Sequence, residues 1–318
     1  MTLSIHDCRT GRRAGRRTLS ALAAVLLALV TVASVQADDS IVEPPSAFDE
    51  LTNRLIDDGI DPTLVYRMFD DPRAELLPQL LKVNIKQPDA TGAYERFKGD
   101  ASVQDTYRFL VANRATFDSV LASSPVNAEV VAAILKIESD FGSNKGPYPL
   151  FNVFATLSLL NSESLETHAP NFWDRILHDL PAEEHDSAIN TANRRRSSKA
   201  NWAYRELKTL IELQQKGQMD PLDERGSWAG AYGIPQFLPS SFMAYAKDGD
   251  GDDHIDLDNL SDAIASVANY LAIHRFDAEN DKRRRKAVWH YNHSEDYVDA
   301  VITLADRVAR EEQKSSSN

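Results

Sequence analysis

The sequence predicts a mainly α-helical fold, on three observations. Patterned segments repeat their apolar residues at helical spacing, few runs alternate as strands do, and no internal repeat or long linker divides the chain. Ser46–Asp57 is amphipathic, with Ser46 as the expected N-cap and Glu50 in the first turns. Gly59 stops it, and Asp61-Pro62 opens the next helix because proline fits a first turn. Gln104–Leu121 and Asn127–Phe141 follow as two helices joined by a Ser-Ser-Pro turn. Ser158–Arg196 is less regular and strongly polar, with Arg194, Arg195 and Arg196 expected in a solvated loop. Trp202–Gln214 resumes the helical period, and Pro239-Ser240-Ser241 starts a further helix. Ser261–His274 and Ser294–Arg310 each open with serine and then acidic residues, which suits the positive end of a helix.

Residues 1–37 read as an export signal rather than as part of the fold. Arg12, Arg13, Arg16 and Arg17 precede an apolar run from about Leu19 to Val35, and Val35-Gln36-Ala37 is a small-residue cleavage site. No cysteine stands at the cleavage point, so no lipid anchor is expected, and the general export route fits better than the twin-arginine one. These features place the mature chain in the periplasm. Cys8, the only cysteine, lies within the signal, so the rest has neither disulfide nor thiolate chemistry. Removing the signal takes away five arginines and one aspartate, which carries the formal charge from −13 to −17. Such a balance argues against nucleic acid and anionic membrane surfaces as partners. It also gives no electrostatic pull toward an anionic polymer. No later apolar stretch is long enough to span a bilayer. Residues 38–312 are expected to form one domain, with 313–318 a disordered tail.

Glu138 is the most informative residue. In Asn127–Phe141, Val130, Ile134, Ile137 and Phe141 form an apolar face, and at about 100° per residue Glu138 falls on it. Glu129, Lys136 and Asp140 fall on the opposite side. A carboxyl among aliphatic neighbours resists ionisation and can act as a general acid near neutral pH. The plainer alternative is a last-turn carboxylate that escapes to water past Phe141-Gly142.

A second signal is the acidic stretch 248–259. Asp248, Asp250 and Asp252 occupy positions 1, 3 and 5 of an EF-hand-like loop, where alternate side chains converge on one hard cation. His254 at position 7 would offer its backbone carbonyl, Ile255 suits the small strand such loops form, and Asn259 stands at position 12. Asp253 replaces the usual glycine at position 6, which asks an aspartate to turn left-handed. If metal binds, Ca²⁺ is expected, held weakly and structurally; a solvated acidic turn is the alternative.

Two further segments suit a neutral sugar. In Gly226–Phe242, small residues let backbone approach a ligand, Trp228, Tyr232 and Phe237 can stack, and Gln236 can hydrogen-bond; a tight helix connection is equally consistent. In Tyr291-Asn292-His293-Ser294, Asn292 offers donor and acceptor together, while His293 suits capping or packing better than catalysis. No Ser/His/Asp arrangement, phosphate-cradling loop or HExxH is present, so no organic cofactor is expected.

In order, Ile85–Phe97, Ala133–Gly142, Asn152–Leu160, Gly226–Phe242, the Asp248 loop with Asp262–Leu271, and Trp289–Ser294 resemble the membrane-bound lytic murein transglycosylase B family in soluble form. The resemblance spans most of the mature chain. It implies a lysozyme-like helical fold and non-hydrolytic cleavage of the MurNAc-β-1,4-GlcNAc bond of peptidoglycan, leaving 1,6-anhydro ends. It further implies Glu138 as sole acid and base, and substrate contacts at Ser227, Gln236, Tyr270, Tyr291, Asn292 and Tyr297. The metal set it implies is Asp248, Asp250, Asp252, the His254 carbonyl and Asn259. The chain departs from the family in a longer Ser158–Arg196 stretch, in Ser198-Lys199 where a basic pair is expected, and in a short Phe276–Trp289 segment. A hydrolytic muramidase of the same fold, and a wall-binding protein without turnover, are the competing readings.

Overall fold

The apolar spacing that predicts helices produces them. The computed structural model describes residues 47–81, 92–162, 172–178 and 180–317. The export signal and the first part of the Ile85–Phe97 motif lie outside these residues. Helix α1 (Asp49–Asp57) buries Leu51 and Leu55, and begins after Phe48 rather than at Ser46. Gly59 follows it at φ +87°, and the Asp61 side chain accepts from Leu64 N–H to cap α2 (Pro62–Phe69). The single helix expected over Gln104–Leu121 is two, α3 (Asp100–Ala112) and α4 (Arg114–Leu121). They break at Asn113, whose side-chain amide donates to Phe109 O and so competes with the helical ladder.

Helix α5 (Ala128–Ser139) carries Glu138 in its last turn. Asp140, Phe141 and Gly142 then take successive left-handed conformations, at φ +52°, +58° and +90°. Strand β1 (Tyr148–Pro149) pairs antiparallel with β2 (Arg225–Gly226), Tyr148 opposite Gly226. Helix α6 (Leu150–Ser158) is buried along its whole length, which hides it from a periodicity reading. Helix α7 (Phe172–Leu177) precedes α8 (His185–Gln215). Arg194, Arg195 and Arg196 lie within α8 and not in a loop, correcting the expectation. Alanine and arginine are strong helix formers even without an apolar stripe, and Arg196 anchors there by donating to Leu160 O at 2.7 Å. Helices α9 (Pro239–Tyr245), α10 (Leu260–Ile273), α11 (Asp281–Tyr291) and α12 (Glu295–Ser316) complete the chain. Helix α12 continues through 313–316, the segment expected to be a disordered tail.

These described residues lie in one unit with two apolar clusters. In the first, α8 packs along α6, with α1, α2 and Phe242 of α9 around them. In the second, α12 packs along α5 and α10 along α4. The segment between β2 and α9 crosses from one to the other: Tyr232 and Phe237 belong to the first cluster and Ile234 to the second. Among the described residues, no helix is long and apolar enough to cross a membrane.

Candidate active site

Glu138 is half-buried on the last turn of α5, where the preceding turns bury Ile134, Leu135 and Ile137 completely or nearly so. Burial pushes its carboxyl up to about 7, opposed by a 2.6 Å hydrogen bond that Tyr297 Oη donates to Oε1. Tyr297 is fixed in turn by the start of α12, where the Ser294 hydroxyl accepts from its backbone N–H. Asp140 lines the same recess as Glu138, with its carboxylate held in a 2.6 Å ion pair by Lys136. Lys136 is not on a solvated face as its helical position suggests. Its side chain is only 10% exposed, held between Asp140 and Asp105 and lying 5.3 Å over the Phe141 ring. The left-handed turn after α5 is locked by Ser139, whose hydroxyl donates to Ile234 O at 2.6 Å and accepts from Gly142 N. A recess of about 350 Å³ opens beside Glu138, lined also by Arg96, Ser102, Asn144 and the Lys136–Asp140 pair.

An aromatic wall faces the acid. Tyr94 meets Tyr297 edge-on at 5.4 Å, and Tyr291 stacks parallel to Tyr297 at 6.4 Å. Tyr291 donates to Pro235 O and Tyr270 to His290 O, each at 2.6 Å. Asn292 donates to Tyr94 Oη at 3.3 Å, leaving its carbonyl oxygen without a protein donor among the described residues. Tyr270, Tyr291, Asn292 and Tyr297 are therefore brought together around Glu138, although three of their hydroxyls are already engaged by protein. Tyr94 belongs to the same wall. Single-sequence reading did not isolate it, because a lone tyrosine before a short 3-10 turn carries no periodic signal.

Ser227 and Gln236 come from the crossing segment. The Ser227 hydroxyl accepts from Ala229 N and Ala231 N, closing a tight turn. Gln236, at φ +53°, donates to Lys145 O and Gly233 O. Gly230 is needed for space: at φ +84°, a Cβ there would sit 2.1 Å from the Phe154 ring. Trp228 is 41% exposed at the tip of the turn.

In the acidic loop the carboxylate that converges on Asp248 and Asp250 is that of Asp262, a residue outside the set expected from the sequence. The carboxylates of Asp248, Asp250 and Asp262 come within 4.8 Å of one another. Asp252 is outside this group, its carboxylate accepting from His254 N–H. Asn259 caps α10 through Ser261 N and donates to Asp250 Oδ2 at 2.6 Å. Asp253 adopts the left-handed conformation that its position demands, at φ +66°. No strand forms at Ile255; instead Leu257 O accepts from Ile234 N, tying the loop to the crossing segment. Asp262 is buried and accepts from both Gly249 N and Asp256 N. The signal that could have found it is an aspartate on the inner face of α10, beside buried Ala263 and Ile264. Three convergent carboxylates, all oxygen donors, fit a hard cation such as Ca²⁺ better than a softer ion.

Residues 45–285 match the family described as transglycosylase SLT domain. The chain is 51% identical over 69 residues to membrane-bound lytic murein transglycosylase B of Escherichia coli, a match covering 22% of this chain and 19% of that protein. Its fold is similar to that of SltB3 from Pseudomonas aeruginosa in complex with NAG-anhNAM-pentapeptide, with a TM-score of 0.64 and 20% identity over 83% of this chain and 80% of that one. It is also similar to Escherichia coli Slt35 in complex with calcium, with a TM-score of 0.62 and 21% identity over 86% and 95% of the two chains. On the match over residues 45–285, the chain belongs to the transglycosylase SLT domain family.

Proposed function

We propose that this protein is an exported lytic transglycosylase of the periplasm, cleaving MurNAc-β-1,4-GlcNAc bonds in peptidoglycan with Glu138 as the only acid and base. The observation that carries the reading is a single half-buried carboxyl, raised to about 7 and held by Tyr297, while Asp140 in the same recess is exposed and committed to an ion pair with Lys136. Hydrolysis of a glycoside ordinarily uses two carboxylates, one for the leaving group and one for water or the anomeric carbon. One acid suffices when the sugar supplies its own nucleophile. Protonated Glu138 gives its proton to the glycosidic oxygen as the C1–O bond breaks. The C6 hydroxyl of the same MurNAc then attacks C1, and its proton passes to the Glu138 carboxylate, restoring the acid. No water is consumed, and the product ends in 1,6-anhydro-MurNAc.

Tyr297 positions the acid and keeps one oxygen free for the proton transfer. Asn292 supplies a carbonyl acceptor and Gln236 an amide carbonyl for sugar hydroxyl or acetamido groups, and Ser227 shapes the turn that presents Trp228. Tyr270 and Tyr291 wall the site. The Asp248 loop would hold Ca²⁺ through Asp248, Asp250 and Asp262, and the ion would supply structural rigidity rather than chemistry. The test is mass spectrometry of soluble fragments from purified sacculi treated with wild type and with Glu138→Gln. Anhydro-muropeptides from wild type alone are expected. Reducing-end products would establish hydrolysis instead, and sacculi bound without products would make this a wall-binding protein.

A further inference from the structure

In a chain with a formal charge of −13, a recess of about 520 Å³ between the end of α10 and α11 is lined by four cationic side chains, Arg275, Lys282, Arg283 and Lys286, together with Ile273, Asn280, His274 and His290. Arg283 is neutralised by Asp277 at 3.2 Å. Arg275, Lys282 and Lys286 pair with no carboxylate among the described residues. Helix-end electrostatics account for only part of this. A cation beside the C-terminus of α10 suits its dipole, but Lys282 sits in the first turn of α11, where a positive charge is unfavourable. Arg275 stands at φ +63° as the left-handed residue that closes α10, with Phe276 N–H donating to Leu271 O at 3.0 Å, so its backbone is set by the helix end.

Ring contacts connect the recess to the tyrosines beside Glu138, running from His274 to Tyr270, Tyr291 and Tyr297. His274 stacks on Tyr270 at 4.4 Å and lies 4.6 Å from His290. His290 is followed directly by Tyr291 and Asn292, which turn toward Pro235 and Tyr94 beside Glu138. Resting on the function proposed above, the substrate is a glycan whose lactyl groups bear peptide stems with free carboxylates. Lysine and arginine around a concave recess are the complement of such groups.

We propose that the recess formed by Arg275, Lys282 and Lys286 binds carboxylates of the peptide stem, so that the enzyme distinguishes stem-bearing from stem-free glycan. The recess supplies locally the attraction that the acidic whole lacks. It also works only at short range, because salt screens exposed charges beyond about 8–10 Å.

The test compares wild type with Arg275→Gln/Lys282→Gln/Lys286→Gln on intact sacculi and on glycan strands stripped of stems by an amidase. All three side chains are exposed, so the variant is expected to melt with wild type. On stem-bearing substrate its KM should rise about five- to tenfold with kcat nearly kept, while stem-free strands show no difference. Lys282→Arg/Lys286→Arg should restore the wild-type KM. Equal losses on both substrates, or no loss on either, would overturn the proposal. So would binding to phosphatidylglycerol vesicles that the triple variant loses while its KM on sacculi stays unchanged. If wild type degrades neither substrate, the functional reading fails on its own. Binding of Glu138→Gln protein to stem-bearing sacculi, with and without the three substitutions, then still decides the recess.

Discussion

Glu138 has a consequence for stability as well as for chemistry. A carboxyl whose pKa is about 7 in the folded chain and 4.5 in an ordinary environment holds its proton more tightly when folded. The associated stability is fully present below about pH 4.5 and is lost as the pH rises through about 7. At about 1.4 kcal/mol per unit of separation the loss approaches ~3 kcal/mol at most, less where groove water reaches the half-buried carboxylate. Glu138→Gln keeps an acceptor for Tyr297 without the charge. It is expected to melt higher than wild type at pH 8 and equally at pH 4; a lower melting temperature at pH 8 would mean the ionised form is not under strain. Tyr297→Phe removes the bond that favours the carboxylate, so the alkaline limb of the pH–rate profile, set by loss of the protonated acid, should move to higher pH. An unmoved limb would assign it to another group. The place of Glu138 on the apolar side of its helix was legible from helical spacing, while its expected role came from the family resemblance. Its control by Tyr297 was not legible, because a contact between residues 159 apart leaves no local pattern.

At the scale of elements, the acidic loop shows what a motif carries and what folding adds. The Asp248, Asp250, Asp252 spacing was readable, and so was the left-handed Asp253. The third carboxylate, Asp262, was not, since it comes from inside α10 and reaches the loop only because the helix folds back over it. The two kinds of carboxylate should therefore respond differently to substitution. Asp250 is exposed and its contacts lie within the loop, so Asp250→Ala should lower the melting temperature with Ca²⁺ present and leave it unchanged in chelator. Asp262 is buried and satisfies two backbone N–H groups. Asp262→Ala strands those donors and should destabilise in both conditions. Equal losses for Asp250→Ala with and without Ca²⁺ would show that the loop holds no metal. Elsewhere the elements that escaped prediction did so for opposite reasons: α6 is buried on every face, and the first half of α8 has scarcely any apolar face.

Across the whole molecule, the site depends on two apolar clusters keeping a fixed relation. Glu138 stands on a helix of the second, while Tyr232 and Phe237 root the crossing segment in the first. Tyr270 and Tyr291 pack against both clusters at once, and Tyr291 also ties the crossing segment through Pro235 O. Two residues whose tyrosine identity suggests sugar contacts thus also join the cores, a role set by three-dimensional packing that no sequence period encodes. The resulting coupling predicts a single calorimetric transition for wild type, with equal calorimetric and van't Hoff enthalpies. Tyr291→Phe loses one buried hydrogen bond, worth about 1 kcal/mol, and should keep that single transition. Tyr291→Ala removes the ring from both cores. It should lose about 3–5 kcal/mol and separate the unfolding of the two clusters into resolvable steps. Two transitions in wild type would mean that the walls of the groove are held together by substrate rather than by the fold. A single transition in Tyr291→Ala would place the coupling in the crossing segment alone.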